Sequence, residues 1–102
     1  MAQTLLAQLA QGEVKFSDVL VFIEARYTHT PTAFKNGQQA NAATENQGSA
    51  KVFSFAQLNG LNKEQTLSLF AEHYTSVLNT PEASDHQNIR QFMLNGWDGI
   101  QF

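Results

Sequence analysis

Residues 36–49, NGQQANAATENQGS, carry no apolar side chain larger than alanine in a chain of 102 residues. Such a stretch brings almost no area to bury, so it reads as a connection outside the core and leaves the core to the segments on either side. Loops of this length in small domains are usually functional or disordered. The expectation is one domain spanning 1–102, with 36–49 a polar, flexible loop within it. A chain of this size buries roughly two-thirds of its unfolded surface, enough for one core.

Composition removes several classes of function. Six basic against nine acidic residues give a net charge of -3, and no Lys/Arg cluster is present to displace counterions from phosphates, so no nucleic-acid partner is expected. With no cysteine, disulfides and thiolate metal sites are excluded. The longest apolar run, Val19 to Ile23, is far short of the ~20 residues that span a bilayer. MAQTLLAQLAQG lacks the basic and apolar regions of a secretory signal, which implies a cytoplasmic start.

Periodicity places the elements. Leu5, Leu6 and Leu9 suggest a short helix ended by Gly12. Ser17 reads as the cap of a second, with Phe16, Val19, Leu20, Phe22, Ile23 and Tyr27 in one stripe at about 100° per residue. Pro31 stops any helix, Thr28 to Phe34 is extended or turning, and Asn36-Gly37 makes a turn. SAKVFSFAQLNGL reads as a helix ending at Gly60, with Val52, Phe55 and Ala56 inward, although Phe53 and Phe55 would also suit a strand. Asn62 with Gln65 forms a capping box, and Leu67, Phe70, Ala71, Tyr74, Val77 and Leu78 then follow one helical face. Asn79-Thr80-Pro81 ends it. Ser84 with Gln87 suggests a last capped start, followed by Ile89, Phe92, Met93, Gly96 and Trp97 on a buried face. The fold class is therefore α+β, mainly α, with about four to five short helices; a small β-hairpin near 27–35 and 50–56 stays open.

Candidate chemistry gathers where polar groups meet these stripes. Helical spacing puts Arg26 between Val19 and Phe22, where a buried guanidinium needs a carboxylate such as Glu24, Glu45, Glu72 or Asp98, or must reach out to water. Three histidines sit beside acids or in loops, but neighbours on a helix point about 100° apart and no HExxH is present, so no metal site is assigned. His73 lies at the edge of an apolar face, and His86 reads as a packed or capping group in the first turn of the last helix. No GxSxG elbow and no phosphate-binding glycine pattern occurs, and no catalytic residue or cofactor is assigned. Trp97, within Gly96-Trp97-Asp98-Gly99, is read as a core anchor; with Phe102 it could instead contribute to a partner-binding patch.

FIEARYTHTPTAFKNG, followed by ENQGSAKVFSFAQLNGLNKEQTLSLFAEHYTSVLNTPEASDHQNIRQFMLNGW, resembles the HopJ type III effector family over nearly the whole chain. The resemblance implies a bacterial protein, made in the cytoplasm and delivered into a host cell by a type III system. It brings no catalytic residue, cofactor or substrate with it.

Two readings follow. In the favoured one the chain is a HopJ-type effector-like protein that acts by binding a host or bacterial protein. In the other, Glu24, Arg26, Tyr27, His29, Thr30, Thr32, Glu45, His73 and His86 line a polar cleft, around Arg26 and His29, of a small-ligand-binding protein or small enzyme. They are separated by whether Arg26, Glu45, His73 and His86 converge on one pocket.

Overall fold

A computed structural model describes residues 2–12 and 14–102. Helix α1 (Ala2–Ala10) buries Leu5 and ends where Gly12 adopts φ +74°. Helix α2 (Phe16–Arg26) begins two residues earlier than the serine predicts. Lys15 is its first flanking residue, and Asp18 accepts the Lys15 N–H at 3.0 Å. Ser17 lies exposed inside the first turn, because an aspartate at the third helical position satisfies the orphan donor instead. Val19 and Ile23 are the buried ridge of α2, which packs on α3.

The chain then runs extended to β1 (Phe34–Asn36), turns through Gly37-Gln38, and returns as β2 (Gln39–Asn41). Gly37 has φ +59°, and a Cβ there would collide with the side chains of Gln91 and Asn95, so this turn needs glycine for conformation and for space. The C-terminal β3 (Ile100–Gln101) pairs antiparallel with β1, which gives the order β2-β1-β3. The small β element is thus real but lies elsewhere than 27–35 with 50–56. Residues 50–56 belong to α3 (Gln47–Leu58), where Val52, Phe53, Phe55 and Ala56 are all buried. A helix enclosed on two sides loses its one-faced pattern, which is why the segment resembled a strand.

Asn62 caps α4 (Lys63–Ser68) with the reciprocal bonds of a capping box, Gln65 N–H to Asn62 Oδ1 at 2.8 Å and Asn62 N–H to Gln65 Oε1 at 3.0 Å. The single long helix expected to follow is broken. Backbone bonds tighten to three-residue spacing at Leu69, Phe70 and Ala71, Ala71 takes φ 52° and ψ -122°, and the chain restarts as α5 (Glu72–Asn79). An uninterrupted stripe hid the break because Leu67, Phe70 and Val77 are still buried on either side of it, whereas Leu78 is 52% exposed. The final helix α6 (Gln87–Asn95) is flanked by His86 rather than by Ser84, though the Gln87 amide does donate to the Ser84 carbonyl at 2.7 Å. A 3₁₀ turn, Gly96–Gly99, leads into β3.

Six helices and the three-stranded sheet are seen among the described residues, in one mainly helical domain. Its radius of gyration, 12.7 Å, agrees with the roughly 13 Å expected of a compact domain near 100 residues. The centre is aromatic: the Phe53 ring lies 5.0 Å from Phe92, 5.6 Å from Phe70, 6.0 Å from Phe34 and 6.1 Å from Trp97. Residues 36–49 add a second, polar interior. Asn36 and Asn41 are 0% and 4% exposed, so lack of apolar bulk did not keep the segment out of the interior.

Candidate functional site

The polar residues singled out from the sequence fall into separate groups. Glu24 pairs with Lys51 at 3.0 Å on the α2–α3 surface. Arg26 is the last residue of α2 and exposed; its Nη1 donates to the Phe22 carbonyl at 3.2 Å and its guanidinium lies 3.8 Å over the Phe22 ring. It is therefore outside the apolar stripe, because the helix ends there and the long side chain folds back over its own turn. Tyr27 packs edge-on to Phe55 and accepts from Asn59 Nδ2 at 3.3 Å.

His29, Thr30 and Thr32 belong to a different cluster, organised by Gln47 at the start of α3. Gln47 Oε1 accepts the Thr32 N–H at 3.1 Å and lies 2.7 Å from His29 Nε2, which must then carry the proton. Gln47 Nε2 donates to the Thr32 and Glu45 carbonyls, and the Thr32 hydroxyl donates to the Thr30 carbonyl. Glu45 closes its own turn by accepting the Ala42 N–H at 3.0 Å. These contacts tie the extended 28–33 segment to α3.

His73 and His86 do converge. Their ring centroids are 5.0 Å apart on the wall of a cleft of about 330 Å³ that also includes Phe16, Phe70, Asn46, Ser49 and Asn88. Phe16 stacks on Phe70 at 5.7 Å and 8°, and His73 meets the Phe16 edge at 4.9 Å. Helices α3 and α6 both begin at the cleft, after Asn46 and His86, with no side-chain cap at either; their first N–H groups add positive potential there. His86, expected on the buried side of the last helix, instead precedes it and is exposed, with φ 51°.

Two carboxylates border this region, and each is already engaged. Partial burial works against the Glu72 anion, but hydrogen bonds from the Phe16 and Glu72 N–H groups, with His73 and Lys15 nearby, hold its carboxyl below the ordinary value. The hydrogen bond from Arg90, at 2.7 Å, holds the Asp85 carboxyl below its own. Asp85 Oδ2 is 4.0 Å from His86 Nε2. No group of three or more potential metal-ligating side chains occurs among the described residues.

Beneath the cleft lies an asparagine network that sequence reasoning missed. Asn41 Oδ1 accepts from Asn46 Nδ2 at 2.7 Å and from Asn88 Nδ2 at 3.0 Å, while Asn88 Oδ1 accepts from Asn36 Nδ2 and Asn41 Nδ2, both at 3.2 Å. Asn36 Nδ2 also donates to the Asn88 carbonyl at 2.7 Å, and Asn36 Oδ1 is buried without a partner among the described residues. The only signal in the sequence was the repetition of asparagine through a segment that looked like loop.

Trp97 anchors the 3₁₀ turn, its indole N–H donating to the Leu61 carbonyl at 3.0 Å and its ring 5.1 Å from Phe92. Phe102 is 50% exposed, 5.5 Å from the Phe34 ring. The Arg26, Glu45 and His73–His86 sites are thus three distinct places.

A small helical domain carrying a three-stranded sheet, with one mixed cleft at two helix starts, is the class that this fold and site define. The chain belongs to the HopJ type III effector protein family, whose model matches residues 2–102. It is also similar to a solved structure titled as that of an unknown function protein, VPA0580, with 48% identity, a TM-score of 0.89 and coverage of 98% of this chain and 86% of that one. No curated protein matches. No described helix is long and apolar enough to cross a membrane.

Proposed function

We propose that the protein is an effector-type recognition protein, delivered through a type III system, that acts by binding a partner protein at the cleft between α2, α3, α5 and α6. The family membership supports delivery. The observation that carries the binding role is backbone strain: the non-glycine residues with positive φ among those described are Asn46, Ala71 and His86. Asn46 and His86 line the cleft, and Ala71 stands between two of its wall elements, Phe70 and His73. Strained positions cost about 1–3 kcal/mol each and gather where a site requires them.

The test has two parts. A reporter active only inside host cells, fused to the full chain, is expected to signal from a secretion-competent strain and not from a secretion-null one. Proximity labelling in the host with wild type, Ser49→Trp in the cleft and Gln57→Trp on the exposed side of α3 then addresses the site. A defined set of labelled proteins lost only with Ser49→Trp supports the cleft; identical sets for all three reject it.

The runner-up, a small-ligand-binding protein, is favoured by the cleft volume of about 330 Å³, within the range of small-molecule pockets. Its location would then be His73 and His86 rather than Arg26 and His29.

A further inference from the structure

The cleft has one wall made of rings in continuous contact. Phe70 stacks on Phe16, Phe16 meets His73 at its edge, and His73 lies against His86 with an interplanar angle of 36°. The rest of the lining includes the polar side chains of Asn46, Ser49 and Asn88. A ring-lined wall favours a planar aromatic guest through offset or edge contacts.

The same wall ends in donors. Neither imidazole makes a hydrogen bond within the protein among the described residues, so each ring has an N–H to offer, and each would add positive charge when protonated. Of the two nearby carboxylates, Asp85 has its charge offset by the Arg90 guanidinium, whereas Glu72 keeps its charge and has its oxygen directed to a backbone N–H. Asp85 is held by Arg90 at 2.7 Å and stands 4.0 Å from His86 Nε2, and Glu72 accepts the Phe16 N–H at 2.7 Å.

We propose that the cleft binds an aromatic ring bearing an anionic group, an aryl phosphate or aryl carboxylate, with the ring against Phe16 and the anion held by His73 and His86. The proposal rests on the reading of this cleft as a binding site and names the chemistry it takes. A free small molecule and a modified tyrosine on a partner share that chemistry.

Titration of the full chain with phenyl phosphate, benzyl alcohol, inorganic phosphate and a short phosphotyrosine peptide, followed by NMR of the histidine ring signals, tests it. Phenyl phosphate is expected to shift both histidines and to bind at least about tenfold more tightly than benzyl alcohol or inorganic phosphate, since a hydrogen bond to a charged group is worth about a decade in affinity. Tighter binding of the peptide assigns the guest to a protein, and equal binding assigns it to a free small molecule. His86→Gly removes one donor while relieving a positive φ, so a tenfold loss of affinity with an unchanged or raised melting temperature separates binding from folding. His73→Gln, which keeps a donor, is expected to lose less than His73→Ala. Binding of benzyl alcohol as tight as that of phenyl phosphate, or unmoved histidine signals at saturation, overturns the proposal. If that occurs while Ser49→Trp still abolishes labelling in the host, the recognition role stands and only the guest chemistry is wrong.

Discussion

The interior has two regions built from opposite chemistry. Around Phe53 four aromatic rings pack, and their dispersion contacts are each weak but together large. Around Asn88, 6% exposed, the groups are amides whose bonds hold only within narrow distances and angles. The aromatic region therefore supplies most of the stability, while the asparagine region fixes register, tying the hairpin to α6 and to the start of α3.

Phe53→Ala is the largest expected disruption of that contrast, costing about 3–5 kcal/mol in urea denaturation. Asn88→Ala removes one acceptor and one donor from the network, while Asn36 Nδ2 keeps the Asn88 carbonyl and Asn41 keeps the Phe34 carbonyl and Asn46. A loss of about 1–3 kcal/mol is expected, with exchange protection falling most at β1 and β2. If Asn88→Ala cost as much as Phe53→Ala, the division between stability and register would be wrong.

Ala71→Gly sharpens the picture from the strained side. Relief of φ 52° outweighs the added chain entropy of glycine, and a gain of about 1 kcal/mol is expected in the same assay. An equal loss would mean that the Ala71 methyl packs more than its backbone strains.

The smallest effect lies in acid. The Glu72 and Asp85 carboxyls titrate below their ordinary values in the folded chain, so the stability they add is present above the unfolded-state pKa of roughly 4 and is lost as pH falls through the lower folded values. Glu72→Gln and Asp85→Asn are each expected to flatten the acid limb of a stability–pH curve below about pH 4 and to leave the neutral region of that curve level. Steepening of the acid limb in either variant would contradict the assigned hydrogen bonds.

Much of the fold was legible because the signals were local. The Asn62–Gln65 box, the stop at Gly60 and the end of α5 before Pro81 each depend on residues within a few positions of one another. The site was less legible. For Arg26 the stripe left open a buried ion pair or a side chain reaching to water, and only the end of its helix decided for water, while His86 looked inward because Ser84 was read as the cap. Gln47, which organises His29 and Thr32, drew no notice since a glutamine in a polar run resembles its neighbours.

Sequence by itself determined a single mainly helical domain, the Asn62 cap, and the apolar faces that could form a core, since these follow from backbone preferences and periodicity over one or two turns. Tertiary structure decided that Asn36, Asn41 and Asn88 are interior, that the helix breaks at Ala71, and that His73 meets His86. The reason is separation along the chain. The asparagines that satisfy one another are 47 and 52 residues apart, and a polar group's place inside or outside depends on whether the fold brings it a partner.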